Sequence, residues 1–177
     1  AFYFDIRNDS LYCDDKNSKK RNSCIMLLNI ILNSLLKWFA PILSFTTEEI
    51  FRLVKNDKKS VHLEKFIEFP KSFLNKKLNE KWEDLKKIID VCNISIEAKR
   101  ASKVIGSSLE ASLKINLNEK LFEISKNVDF SELCITSTAS IEKVKTGDIS
   151  ALTTKAKGSK CPVCWKINEN GCERHPA

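Results

Sequence analysis

Cys161-Pro162-Val163-Cys164 and Cys172-Glu173-Arg174-His175 stand within the last seventeen residues of the chain. A C-x2-C turn folds back on itself and points two sulfurs at one spot. A second turn of the same kind supplies the remaining donors of a tetrahedron. Three thiolates and one imidazole suit zinc, which has no redox chemistry and no directional d-electron preference. Four protein ligands leave no open position for a reactive water, so a metal held this way is structural. The alternative is a frayed tail of free thiols with a surface histidine. A tail this short has no core of its own, and a metal staple accounts better for its composition. The expectation is one zinc on Cys161, Cys164, Cys172 and His175.

The rest of the 177-residue chain sets broader limits. Hydrophobic residues make up 42%, enough to bury a sizeable core. Charged residues reach 30%, with a formal net charge of +7. That balance favours a polyanionic partner such as nucleic acid, although lysines that merely solvate helices give the same count. The longest apolar run, around Ile25 to Phe39, is interrupted by Asn29, Asn33, Ser34 and Lys37, so no membrane span is expected. The first residues lack the basic-then-apolar order of a signal peptide. Seven cysteines, three of them in the tail, point to metal and a reducing compartment, with the cytoplasm as default.

Along the chain, residues 1–20 read as an aromatic-rich helix end and a polar turn. From Lys20 to Phe39, Leu27, Leu28, Ile31, Leu32, Leu35, Leu36 and Phe39 recur at helical spacing and predict a wide buried stripe. Pro41 ends that helix. Thr46-Thr47-Glu48-Glu49 offers a capping box for a short helix with Ile50, Phe51 and Val54 inward. Residues 55–75 are irregular. A long helix from about Asn75 to Lys103 carries Trp82, Leu85, Ile89, Cys92 and Ile96 on one face, and Gly106 is its expected stop. Residues 71–103 hold nine Lys or Arg against five acids, the face most suited to phosphate. Leu113, Ile115 and Leu117 alternate as in a strand, Asn118 to Asn127 reads as a short helix, and Leu133–Thr138 and Ile149–Lys155 read as strands. Ala156 to Ser159 links into the tail. The class is mainly α: a helical bundle over 1–105, a small α+β domain over 106–156 and a metal-binding tail over 157–177.

Other candidates for chemistry are weaker. Trp165 and Lys166 follow the first metal turn and Arg174 lies in the second. An aromatic flanked by cations can stack on an unpaired base while the cations meet phosphate, or the ring can pack over the metal turn as a miniature core. Cys24, Cys92 and Cys134 lie in apolar patterns and read as small core residues, with Cys13 at a helix end. His62 has no neighbouring nucleophile or carboxylate pattern and reads as a turn contact. With four glycines in all, no phosphate-cradling loop is present.

Several stretches resemble the C-terminal part of bacterial isoleucyl-tRNA synthetases, a family of class I enzymes. They are Phe2 to Ile6 with Leu11-Tyr12-Cys13, Trp38 to Thr46 with Glu48-Glu49-Ile50, and Ser60 to Leu63. Ala98-Lys99-Arg100, Ile105 to Ala111 and Cys161 to Trp165 complete the set, in the family's order over essentially the whole chain. The Gly106 to Ala111 stretch is shared loosely with valyl- and leucyl-type relatives. The resemblance implies that 1–105 is the helical anticodon-binding bundle and that the α+β piece and zinc knuckle cap the anticodon stem-loop. It implies RNA contacts at Trp165, Lys166, Arg174, Lys99, Arg100 and Lys103, isoleucine tRNA as partner, and a cytoplasmic monomer. Such enzymes join isoleucine to tRNA with ATP and edit mischarged valine, but the nucleotide-binding and editing signatures are not in this sequence, so no catalytic residue carries over. Many bacterial members close the zinc site with a second cysteine pair after a longer insert, whereas here the loop is short and the last ligand is His175. Two rivals stand beside this reading: a stand-alone RNA-binding adaptor, and a zinc-stapled protein-interaction module.

Overall fold

A computed structural model describes residues 2–55, 59–145 and 147–175. Six α-helices among these residues are α1 (Phe2–Cys13), α2 (Lys19–Phe39), α3 (Ser44–Lys55), α4 (Lys76–Ala101), α5 (Glu119–Ser125) and α6 (Phe130–Leu133). Five strands are β1 (Ala111–Leu117), β2 (Thr138–Lys143), β3 (Ser150–Lys155), β4 (Ser159–Lys160) and β5 (Ile167–Asn168). The chain divides into two compact units: Ser10–Leu74, and Asn75–Ala177 together with Ala1–Asp9.

In the Ser10–Leu74 unit, Ser18 caps α2 by accepting the Arg21 N–H, and Pro41 bars continuation past Phe39 as expected. Leu36, Ala40, Phe51 and Val61 form a small core with Leu32 against it. The expected wide stripe is therefore only partly covered. Leu36 is buried, but Leu27, Leu35 and Phe39 are exposed, and in α3 Phe51 is buried while Ile50 and Val54 are not. The reason is the number of neighbours: α3 and one 3-10 turn at Val61–Leu63 cannot surround a helix on every side. Averaged over its best window, α2 has a mean hydropathy of 1.3 and meets the length and composition of a membrane-crossing helix. The sequence expectation against a span counted interruptions at Asn29, Asn33 and Ser34, which averaging absorbs.

The capping box at Thr46 does not form. α3 begins two residues earlier, so Thr47 lies inside it and its hydroxyl donates to Leu43 O at 2.9 Å. Glu48 instead braces the turn after the helix. Its carboxylate accepts the Val61 N–H at 2.8 Å and the Ser60 hydroxyl at 2.9 Å, and pairs with Arg52 at 2.8 Å. The Val61 N–H foremost holds that carboxyl below its usual range.

In the other unit β1 is the central strand, parallel to β2 and antiparallel to β3. Its alternation is realised: Ala111, Leu113, Ile115 and Leu117 are all buried. They meet Leu85, Ile88, Ile89, Cys92 and Ile96 of α4, with Ile6 of α1 and Phe130 and Leu133 of α6 in the same core. α4 lies against β3, where Ser95 and Thr153 share a 2.7 Å hydroxyl hydrogen bond. The expected boundary at residue 105 thus falls between two packed partners, because the apolar face of α4 covers the sheet. Leu133–Thr138, expected as a strand, is instead the end of α6 and a turn in which Ile135 takes a positive φ of 53°. The strand starts at Thr138.

Gly106 is not the helix stop either. Lys103 adopts φ 58°, its N–H donating to Arg100 O, while the Val104 N–H donates to Lys99 O at 3.1 Å. That double closure is the usual left-handed helix ending with a lysine where glycine is preferred. Replacing Lys103 by Gly removes the Cβ strain and is expected to raise stability by about 1 kcal/mol, read as a higher denaturant midpoint.

Candidate metal centre and nucleic-acid interface

Gly158, with φ 115°, brings the chain from β3 into the tail. A Cβ there would sit 2.1 Å from Asn168 O, so only glycine lets β4 approach β5. Ser159 and Lys160 pair antiparallel with Asn168 and Ile167. The first knuckle then turns tightly: the Trp165 N–H donates to Cys161 O at 3.0 Å and the Cys161 N–H to Lys166 O at 2.9 Å. Trp165 completes the turn at φ 63°.

Cys161, Cys164, Cys172 and His175 converge, with one donor atom from each within 4.8 Å of all the others. Cys164 Sγ lies 3.7 Å from Cys172 Sγ, and His175 Nδ1 lies 3.5 Å from Cys161 Sγ and 3.3 Å from Cys172 Sγ. A tetrahedral zinc with ordinary bond lengths sets sulfurs about 3.8 Å apart and sulfur to nitrogen about 3.6 Å. Those three separations lie close to these values, and the four residues form a group able to hold a metal ion. The Cys164 N–H foremost, with that of Val163, holds the Cys161 thiol down to about 6 against the burial that pushes it up. Cys161 and Cys164 are buried, while Cys172 and His175 are half-buried.

The module is fastened to the three-stranded sheet through a buried hydroxyl. Ser137 Oγ donates to Leu109 O at 2.5 Å and accepts the Ile167 N–H at 2.6 Å. Ile167 lies midway between the two ligand pairs, so this link holds the knuckles where β2 begins. Sequence reading missed Ser137; a serine before a strand carries no signal of what it will bond across 30 residues.

The expected RNA contacts separate into two sets. Trp165 is 58% exposed, so the miniature-core alternative does not hold. Lys160 Nζ sits over the ring, 5.1 Å from its centroid. Lys160 was not among the expected contacts, although β4–β5 pairing carries it beside the turn. Lys166 and Arg174 turn to the protein's own surface: Lys166 Nζ is 3.4 Å from Ser131 Oγ, and Arg174 Nη2 is 2.8 Å from Asp9 Oδ1 of α1. At the end of α4 and just beyond it, Arg100 and Lys103 share a recess with Glu97, Ile105 and Gly106, and Arg100 pairs with Glu97 at 2.7 Å. Lys99, in the last turn, is half-buried.

The other cysteines are placed as expected. Cys24, Cys92 and Cys134 are buried, and Cys13 ends α1. Cys134 is pushed well above the ordinary thiol range by its hydrogen bond with Cys92 and by burial, which keeps it inert. His62 sits in a 3-10 turn, its backbone N–H on Ser60 Oγ at 3.3 Å.

A charged helix packed on a small sheet is followed by a four-residue Cys/His module with an exposed tryptophan. The profile of the family described as the anticodon-binding domain of tRNA ligase matches residues 1–115, and the chain belongs to that family. It is 67% identical over 175 residues to the isoleucine–tRNA ligase of Pelagibacter ubique, covering 99% of this chain and 19% of that protein. The isoleucine–tRNA ligase of Rhodopseudomonas palustris is 37% identical over 94% of the chain, and that of Bartonella henselae 38% over 96%. The chain spans under a fifth of the length of these curated relatives.

Ser137→Ala removes the acceptor of a buried N–H and the donor to a buried carbonyl. It is expected to destabilise the protein by about 1–3 kcal/mol, measured by chemical unfolding, whereas Thr138→Ala at the exposed Ser112 contact should cost well under that.

Proposed function

We propose that this chain is the anticodon-recognising part of an isoleucine–tRNA ligase, gripping the anticodon stem-loop of isoleucine tRNA while the rest of the parent uses ATP to attach isoleucine. The observation that carries the reading is the pairing of a pre-shaped four-ligand centre with an exposed, cation-backed Trp165, in a chain of the anticodon-binding family. Cys161, Cys164, Cys172 and His175 hold one zinc, which when bound cross-links two knuckles too short to fold by burial alone. Trp165 stacks on an unpaired base of the loop, and Lys160, over the ring, places a positive charge beside the neighbouring phosphate.

Lys99, Arg100 and Lys103 meet phosphates from the end of α4. Lys166 belongs to the same surface, and Arg174, paired with Asp9, stands beside it. In this reading α2 and α3 supply helices of the anticodon-binding bundle, and residues 157–177 are a metal-pinned tip on the unit that holds α4 and the sheet. Recruitment of tRNA in the cytoplasm by a monomeric ligase follows from the same reading.

The test compares transcripts carrying the isoleucine anticodon with the same tRNA carrying a swapped anticodon. Trp165→Ala is expected to lose about 1–3 kcal/mol on the cognate transcript, one base–aromatic stack, and much less on the swapped one. Affinity of the unsubstituted protein is expected to fall steeply with added salt as phosphate contacts release counterions. Equal losses on both transcripts would assign Trp165 a structural role. Salt-insensitive binding, or none, would favour a protein-docking module.

A further inference from the structure

We propose that Asp9 and Arg174 form a positioning latch that fixes the angle at which the metal module presents Trp165, so that Arg174 serves RNA recognition through the module's placement and not as a phosphate contact. The inference rests on the anticodon-loop reading above. Arg174 lies between the candidate ligand positions Cys172 and His175, so its backbone is part of the second knuckle. It reaches 165 residues back along the chain to Asp9 of α1, with Nη2 2.8 Å from Oδ1.

Mechanics supply the need for a latch. β4 and β5 contribute two residues each, and such a short pair resists rotation poorly. Ser137 holds the module at Ile167 through one hydroxyl, and the neighbouring Lys166 reaches Ser131 Oγ at 3.4 Å. These two contacts sit on adjacent residues after the first knuckle, so they fix one end of the module and leave it room to swing about that end. A contact from the second knuckle removes that freedom, and the Arg174–Asp9 pair supplies one. Both side chains are about one third exposed, at 37% and 28%, so the pair contributes little to global stability. Its effect is on orientation, and base stacking is sensitive to orientation. The charge argument runs the same way: a guanidinium already on a carboxylate is locally neutral, and a phosphate would have to displace Asp9 to gain it.

The experiment is a charge swap in the full-length, zinc-loaded protein, comparing the unsubstituted form with Asp9→Arg, Arg174→Asp and the double substitution. Asp9→Asn serves as the variant without added bulk. Two readouts are taken: affinity for a stem-loop with the isoleucine anticodon across a salt series, and the rate at which a chromogenic chelator removes zinc. Each single change is expected to weaken the stem-loop about fivefold and speed zinc release, with the double change restoring both to within about twofold. Asp9→Arg is the telling case, since it adds positive charge yet is expected to bind RNA less well. The latch is overturned if Asp9→Arg and Asp9→Asn bind as well as the unsubstituted protein, while Arg174→Asp alone weakens binding, flattens the salt dependence and is not rescued. If the unsubstituted protein binds no stem-loop, the anticodon reading falls. Zinc release then decides the latch alone: recovery in the double substitution supports it, and equal rates in all five proteins overturn it.

Discussion

Twenty-odd residues with two-residue strands cannot bury enough apolar surface to offset the entropy of ordering their backbone. Everything beyond Lys155 depends on answering that constraint. The chain answers it twice: by converging Cys161, Cys164, Cys172 and His175 to bonding range of one point, and by tying Ile167 to Ser137 inside the protein. The first answer closes the knuckles on each other, and the second fixes them to the sheet. Trp165 owes its exposed position to both. It takes a left-handed backbone at the end of the first turn, and that turn stands where β2 begins because Ser137 holds it there.

The body that carries this tip is held by ordinary burial. α4 lays five apolar residues on the sheet while its opposite side carries charge. Much of that charge is spent internally, as Lys86–Glu83, Lys87–Asp84 and Arg100–Glu97 show. The excess of cations counted along residues 71–103 is therefore concentrated, among the described residues, in Lys71, Lys76, Lys77, Lys81, Lys99 and Lys103. Exposed pairs of this kind add little stability but do shape the field that a polyanion meets.

Periodic features were legible in the sequence and single-residue features were not. The helix over Lys19–Phe39, the face of α4 and the alternation of β1 each repeat one signal many times, so one misleading residue cannot hide them. The helix ends depended on one residue apiece. Gly106 looked like a stop, yet Lys103 took the left-handed position two residues after the last helical turn closed. Thr46 looked like a cap with Glu49 reaching back to it, yet α3 started at Ser44 and took Thr46 and Thr47 into the helix. The convergence of Cys161, Cys164, Cys172 and His175 was legible because C-x2-C spacing is a geometric statement about one turn. Ser137, Lys160 and the Asp9–Arg174 pair were not, since tertiary packing alone brings them to their partners. Leu27, Leu35 and Phe39 show the reverse failure, an apolar stripe whose burial depends on how many neighbours are present.

The account's central claim is that a metal-closed tip on a basic helical body holds an RNA loop. Footprinting of isoleucine tRNA with the zinc-loaded protein, the metal-stripped protein and the zinc-restored protein, with metal counted in each, tests it most directly. The account predicts about one zinc per chain in the loaded form, protection of the anticodon loop that disappears on stripping, and its return on restoration. Protection that persists unchanged without metal, or an anticodon loop left open in all three samples, would contradict it.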